Sequence, residues 1–318
     1  MSLIEKAYSN AANTEHSSVQ ADNVRQLPVR TRSFDIDLTR MAGQGFFVPS
    51  HKPEQLALEL RLLKRRLLRR IGFLRSQRAH PSGLVAKSAP SRNVVMVTST
   101  RPAEGKTFTA INLALSLALE DEIDVTLIDG DAPRPKVQSH FGLRQPAGFT
   151  DLIMDEQLRP EDVLLQARQG PLFILPEGNP VDYPADLFSS ARGQKVIRDI
   201  ASQRPDQLVI IDAPPVLATT EAVMLAPHVD EIIFVVEADS TPEQAIASAV
   251  EELLDFNPNI SLVLNKCLIG AGGSHYGSYA EYYARGSRRR MGRHASRSDA
   301  GRPGTDMHAG RDEIALDD

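Results

Sequence analysis

Cysteine is nearly absent from this sequence, and tryptophan is entirely absent. The 318 residues include one cysteine, Cys267, which cannot form an internal disulfide and indicates a reducing compartment. The sequence also lacks an apolar run of the roughly 18 residues that a membrane-spanning helix needs. Residues 1–10 lack the apolar core of a secretory signal. We therefore expect a cytoplasmic protein.

The sequence also has no large excess of positive or of negative charge. The chain has 36 basic and 41 acidic residues, which gives a net charge of −5. This balance does not favour a nucleic-acid partner. The content of 42% hydrophobic and 24% charged residues is typical of a soluble globular domain.

The most informative stretch that is present runs from Val94 to Pro135. An apolar run predicts a strand, a turn with Gly105, Lys106 and Thr107 follows, and helical periodicity comes next. In such units the backbone N–H groups of the turn bind phosphates, the lysine neutralises their charge and the hydroxyl binds Mg²⁺. The usual spacing is G-x-x-x-x-G-K-[ST], and Thr100 replaces its first glycine. The alternative is an ordinary turn with a surface lysine.

Three aspartates follow or end predicted strands of this chain. Asp129 and Asp131 close one apolar run, and Asp212 ends another. One or two carboxylates suffice to hold Mg²⁺, so the three acids predict a phosphoryl-transfer site with a metal and a base. The alternative is that they cap helices or solvate loops. Asn265, after a later strand, would reach a nucleotide base or only make a turn.

Apolar runs alternate with amphipathic helices from about residue 93 onwards. Runs of this kind are typical of parallel strands that are buried on both faces. We therefore predict an α/β fold: a doubly wound, mostly parallel sheet of the P-loop NTPase type with helices on both faces. Ligands of such sheets bind at the carboxyl ends of the strands. One of the helices is predicted to start at Thr150 as its N-cap.

Composition divides the chain into four segments. We predict a mostly disordered segment over 1–50, a basic amphipathic helix with its linker over 51–92, a nucleotide-binding domain over 93–268 and a disordered tail over 269–318. The helix has leucines on one face and arginines on the other. Docking on its own domain or self-association is favoured over contact with anionic lipid. The tail holds four of the six tyrosines, followed by seven arginines within residues 285–302.

These motifs together resemble the bacterial tyrosine kinases of the polysaccharide co-polymerase group, the BY-kinases. The resemblance covers roughly residues 55–283. Its segments are Ser99–Thr107 (Walker A), Leu127–Pro135 (Walker A′), Ile210–Leu217 (Walker B) and the tyrosine cluster. Leu175–Arg192 and Val263–Lys266 also fit the family. The first seven residues and the solo architecture are similar to the exosortase-associated subgroup of tyrosine autokinases.

The resemblance implies an ATP- and Mg²⁺-dependent protein-tyrosine autokinase that regulates exopolysaccharide synthesis, polymerisation or export. Asp129 would activate the tyrosine hydroxyl, and Thr107, Asp131 and Asp212 would hold the metal. The nucleotide would lie on Asn265 and on seven consecutive residues: Pro102, Ala103, Glu104, Gly105, Lys106, Thr107 and Phe108. The acceptors, offered to the site of a neighbouring subunit, would be Tyr276, Tyr279, Tyr282 and Tyr283.

The resemblance also implies partners. A membrane-bound chain-length determinant or activator protein would recruit the kinase to the inner face of the membrane. The unphosphorylated chains would form a ring, which the charge of phosphotyrosines opens and a cognate phosphatase restores.

The sequence departs from the family pattern at several positions. Ala103 replaces a glycine of the loop, and Pro133 stands where many members have arginine. The ring-forming pattern Glu-x-x-Arg-x-x-Arg is occupied by Leu58, Arg61 and Lys64. The last departure concerns the ring contacts and not the nucleotide-binding loop.

Two other functions remain open from the residues alone. A ParA- or MinD-like ATPase shares the strand order and the three acids, but Arg101 stands where its signature lysine is expected. A non-catalytic, nucleotide-binding regulator of a polysaccharide complex is consistent with Thr100 and Ala103 in the loop. The tyrosine-rich tail favours the kinase over both.

Overall fold

The computed structural model describes residues 32–49, 54–73, 92–120, 122–145, 147–204 and 206–267. The tyrosine cluster, the arginine-rich segment and most of the predicted linker lie outside the described residues.

Eight strands form one sheet. They are β1 (Arg32–Phe34), β2 (Val94–Ser99), β3 (Asp124–Asp129), β4 (Leu165–Ala167), β5 (Leu172–Leu175), β6 (Gln207–Asp212), β7 (Glu231–Glu237) and β8 (Ile260–Asn265). Their order is β1-β4-β5-β3-β6-β2-β7-β8. All neighbouring pairs are parallel except β4–β5, which is antiparallel. The prediction of a mostly parallel sheet is confirmed.

Ten α-helices connect the strands within the described residues. They are α1 (Leu38–Gly43), α2 (Glu54–Arg70), α3 (Lys106–Leu117), α4 (Val137–His140), α5 (Phe149–Met154), α6 (Pro160–Val163), α7 (Pro184–Ser189), α8 (Ala191–Ala201), α9 (Glu221–Leu225) and α10 (Glu243–Leu254). Among the described residues, none of the helices combines the length and the apolar content that crossing a membrane requires.

Two apolar cores hold the sheet between its helices. Met96 and Ile211 point into one core, which contains α5, α8 and α10, whereas Val97 and Ile210 point into the other, which contains α2 and α3. Successive strand residues alternate between the faces. Because both faces are covered, the central strands are buried along almost their whole length, and their apolar residues do not alternate with exposed polar ones. This layering leaves the carboxyl edge of the sheet for polar residues.

Residues 32–49, which we call the N-terminal strap, fold against the domain. β1 pairs with β4, and the Ile36 amide donates to Gln169 Oε1 at 3.0 Å. Met41, Phe46 and Val48 are buried. This differs from the predicted, mostly disordered segment over 1–50. The buried residues are spread over a short strand, a short helix and a loop, so they show no single periodicity.

Two further predictions concern helices. α2 packs its leucines into the core, and its Arg70 pairs with the buried Glu231 at 2.6 Å, so the helix docks on its own domain. The prediction of Thr150 as an N-cap is wrong, because Gly148 precedes α5 and Thr150 lies inside it. The Thr150 hydroxyl donates instead to the Glu177 and Asn179 carbonyls, at 3.0 and 2.8 Å.

Candidate functional site

The phosphate loop lies between β2 and α3, at the carboxyl edge of the sheet. Gly105 directly precedes α3 with φ +100°, a conformation that disfavours a side chain. A Cβ atom at this position would lie 2.0 Å from Asn265 Nδ2. Ala103 also has a positive φ, +71°, although it is not a glycine. The loop therefore adopts the conformation that its usual glycine would favour, at some cost in backbone strain.

Asn265, which ends β8, and residues that follow β7 and β8 hold this loop in place. The side-chain amide of Asn265 donates to the Glu104 carbonyl at 2.8 Å, and the Lys266 ammonium donates to the Ala103 carbonyl at the same distance. The Glu104 carboxylate accepts from the Arg101 amide at 2.8 Å and from the Thr241 hydroxyl. Asn265, which was predicted to reach a nucleotide base, thus uses its amide nitrogen on the loop. Cys267, next to Lys266, is exposed.

Lys106 is the centre of charge at the site. Its ammonium is buried and pairs with Asp131, lies 3.7 Å from Asp212 Oδ1 and donates to the Thr107 hydroxyl at 3.3 Å. Burial alone would lower the pKa of Lys106, but the carboxylates of Asp212 and Asp131 outweigh it and raise that pKa. The lysine is therefore held charged. The fold brings together four of the predicted site residues: Lys106, Thr107, Asp131 and Asp212.

Asp129 has a different environment from the other two aspartates. It is fully buried, and its carboxylate accepts from the Lys136 and Val137 amides at 2.9 Å each and from the Asp131 amide at 3.4 Å. Burial, with the charge of Asp212, raises its pKa well above the ordinary range despite the bond from Val137. These contacts hold the first turn of α4. The predicted role as a base for tyrosine stays a prediction.

The two buried carboxylate oxygens of Asp212 have no hydrogen bond of ordinary length among the described residues, although the Lys106 ammonium lies 3.7 Å from Oδ1. Burial raises its pKa to about 6, although Lys106 and Thr107 oppose the rise. Unsatisfied buried carboxylate oxygens require a cation or water. With Asp131 and the Thr107 hydroxyl they fit Mg²⁺, which prefers oxygen and needs only one or two carboxylates. Within the described ranges, no group of three or more His, Cys, Asp or Glu side chains is arranged for a metal.

The remaining predicted loop residues lie at the rim. Pro102 is exposed, and the half-buried ring of Phe108 stacks on Phe46 of the strap, with ring centroids 5.3 Å apart. Phe46 also meets the His140 ring edge-on at 5.0 Å. The Phe47 amide donates to Asn112 Oδ1 in α3 at 2.6 Å. The strap therefore contacts the helix that carries Lys106 and Thr107.

One acid at this edge was not predicted from the sequence. Glu177 lies two residues after β5, the strand next to β3, and it is only 5% exposed. Its Oε1 atom has no hydrogen-bond partner among the described residues. Burial, with the charges of Asp131 and Asp151, raises its pKa to about 7. The position after a buried strand is the signal that identified the three aspartates.

Comparison with known proteins gives the family of the chain. No family model matches. The chain is 32% identical over 161 residues to tyrosine-protein kinase YwqD of Bacillus subtilis, covering 50% of this chain and 65% of that protein. Tyrosine-protein kinase ptk of Acinetobacter johnsonii is 31% identical over 143 residues, which are 45% of this chain and 19% of that protein. The chain thus spans less than two thirds of these relatives.

Solved structures agree with the sequence relatives. The VpsO kinase domain is 32% identical, with a TM-score of 0.52, and the match covers 64% of this chain and 98% of that domain. The kinase domain of the Escherichia coli tyrosine kinase ETK is 23% identical, with a TM-score of 0.53, and shares the fold. The match covers 59% of this chain and 73% of the ETK chain. The chain belongs to the bacterial tyrosine kinase (BY-kinase) family.

Proposed function

We propose that this protein is an ATP-dependent protein-tyrosine kinase that phosphorylates its own carboxy-terminal tyrosines. One observation carries the proposal: the charged Lys106, the Thr107 hydroxyl and the carboxylates of Asp131 and Asp212 meet at a phosphate loop. Phosphoryl transfer depends mainly on positioning and on charge stabilisation, which these groups supply.

Lys106 would exchange partners when a nucleotide binds. Its ammonium now neutralises Asp131 and Asp212. The same ammonium would bind the β- and γ-phosphates, helped by backbone N–H groups of residues 103–108, in the loop and the first turn of α3. Bound Mg²⁺ would supply the positive charge that the two carboxylates need once Lys106 turns to the phosphates. Asp131, Asp212 and Thr107 would be its protein ligands.

The acceptor tyrosines of this proposal are Tyr276, Tyr279, Tyr282 and Tyr283, which lie outside the described residues. Transfer would occur in trans, from the site of one subunit to the tail of its neighbour. A ring of unphosphorylated chains, a membrane-bound activator and a cognate phosphatase complete the proposal. Recruitment by the activator would place the kinase at the inner membrane face, where it regulates exopolysaccharide production.

Mass spectrometry of the tail tests the proposal directly. The purified chain is incubated with ATP and Mg²⁺, beside Lys106→Met, and phosphotyrosine is mapped. We expect phosphate on the tail tyrosines of the wild type and none in the variant. A wild type without phosphotyrosine, whose ATP hydrolysis is stimulated by DNA or lipid, would instead support a ParA- or MinD-like switch. Nucleotide binding without any turnover would support a non-catalytic regulator.

A further inference from the structure

The segment between β3 and α4 folds back on Asp129. The Asp129 carboxylate accepts from the Lys136 and Val137 amides at 2.9 Å each and from the Asp131 amide at 3.4 Å. These bonds close residues 129–137 into a loop that carries two of the predicted site acids. The far end of this loop is the first turn of α4, so the position of α4 decides the shape of the loop.

α4 is too short to keep its position without support. It has four residues, Val137–His140. An isolated helix of this length is not stable in water, because fixing the first turn is unfavourable and few further hydrogen bonds follow. The Asp129 carboxylate binds the amino end of α4, and the N-terminal strap binds its carboxyl end.

Five contacts join the strap to α4 and to the turn that follows it. Arg40 Nη2 donates to the Ser139 carbonyl at 2.8 Å, and Gln44 Oε1 lies 2.8 Å from His140 Nδ1. The other three are the edge-on ring contacts of Phe46 with His140 and of Phe34 with Phe141, and the bond of 2.8 Å from Arg32 Nη1 to Gln145 Oε1. The strap therefore contacts α4 and its turn along most of their length.

The Arg40 guanidinium fits closely against the turn after α4. Gly142 has φ +70°, and a Cβ atom there would lie 2.9 Å from Arg40 Nη1. Any side chain at Gly142 would displace the guanidinium. Arg40 itself lies in α1, where the Asp37 carboxylate accepts from the Arg40 amide at 2.9 Å and Met41 is buried. A capped and anchored helix thus presents Arg40 to this turn.

We propose that Arg40 and Gln44 are positioning residues for the phosphoryl-transfer site, acting through α4 on the loop that carries Asp129 and Asp131. This inference rests on the proposed kinase function. Misplacement of a reacting group by about 1 Å can lower a rate on the order of 10²-fold. Because both side chains bind the carboxyl end of α4, their loss should affect turnover more than nucleotide affinity.

Steady-state kinetics of the full chain with a peptide of residues 274–285 tests the role. We expect the double variant Arg40→Ala/Gln44→Ala to lower kcat about 10-fold and to keep the affinity for ATP within about twofold. Arg40→Lys, which keeps a cationic donor, should restore part of the kcat that Arg40→Ala loses. Arg144→Ala is the matched control, since Arg144 is an exposed arginine close to Gly142 in sequence, and it should keep the wild-type kcat.

Hydrogen exchange provides a measurement that needs no turnover. The Asp129 carboxylate protects the amides of residues 136 and 137. These amides should exchange faster in the double variant, whereas the amides of α8 should keep their rates. An unchanged kcat, or exchange at residues 136 and 137 that is not faster, would overturn the inference.

Failure of the proposed function has a different signature. A wild type that forms no phosphotyrosine would overturn the kinase proposal, whatever the exchange rates of residues 136 and 137 are. A kinase that is active in the wild type and equally active in the double variant would overturn only the role of Arg40 and Gln44. The two failures are therefore distinguishable.

Discussion

The side-chain amide of Asn265 donates a hydrogen bond of 2.8 Å to the Glu104 carbonyl, so the last strand of the sheet holds the phosphate loop. Asn265→Ala removes this bond, and Asn265→Asp places a carboxylate against the carbonyl. We expect nucleotide affinity to fall about 3- to 10-fold in the alanine variant, for a bond of about 1 kcal/mol, and further in the aspartate variant. Titration with a fluorescent ATP analogue measures both. Equal affinities in all three proteins would show that the loop keeps its shape without Asn265.

Ala103 adopts φ +71°, which costs a residue with a Cβ atom about 1–2 kcal/mol. Ala103→Gly should raise the free energy of unfolding by about 0.5–1 kcal/mol, because the gain exceeds the entropy that glycine adds to the unfolded chain. Urea denaturation measures this. The matched control is Ala118→Gly at φ −64°, where the same change should lower stability. If Ala103→Gly and Ala118→Gly both lose stability, the backbone of Ala103 is not strained in the folded protein.

Lys106→Met leaves the buried Asp131 and Asp212 without their cation. Breaking a buried ion pair on one side costs about 3–5 kcal/mol, so the nucleotide-free variant should be clearly less stable at pH 7.5. At pH 5 part of this loss should be recovered, because the uncompensated carboxyl groups take up protons. Lys195→Met is the control, since the exposed pair of Lys195 with Asp199 is worth about 0.5 kcal/mol or less. Denaturant midpoints at the two pH values decide the outcome.

The carboxyl groups of the site predict how stability depends on pH. The pKa of Asp212 is raised from 3.8 to about 6 and that of Glu177 from 4.5 to about 7. Between pH about 4 and 7 the folded chain therefore binds more protons than the unfolded chain, and these groups lower the free energy of unfolding as the pH rises. The urea midpoint of the nucleotide-free protein should be lower at pH 8 than at pH 5. Glu177→Gln should show a smaller fall, and an unchanged fall would contradict the raised pKa.

The strap should contribute to both stability and nucleotide binding. Phe46 is buried between Phe108 and His140, so Phe46→Ala should lower the free energy of unfolding by about 3–5 kcal/mol. Because Phe108 directly follows Thr107, nucleotide affinity should fall as well. Phe256→Ala, at a ring that is 48% exposed, is the control and should change little. Calorimetric unfolding and nucleotide titration separate the two effects, and an unaffected affinity would confine the strap to a structural role.

The sequence alone predicted the central strands, because continuous apolar runs such as Leu208–Ile211 are typical of parallel strands that are buried on both faces. It did not predict β1 and β4, since strands of three residues carry no periodicity. The three aspartates looked alike in sequence, yet Asp129 binds backbone amides while Asp131 pairs with Lys106. That difference depends on the path of residues 130–137. The loop contacts of Asn265 and Lys266 join residues more than 150 positions apart, and no local pattern encodes them.

Cys267 gives the chain a ready position for a spectroscopic reporter. It is the only cysteine of the sequence, it is exposed, and it follows the lysine that binds the Ala103 carbonyl. Burial, together with the charges of Glu59 and Asp239, raises the pKa of its thiol, so attachment of a maleimide dye will be faster in mildly alkaline buffer. A dye at this position would sense the loop as phosphates enter. Nucleotide arrival could then be followed in real time on a protein that needs no engineered cysteine.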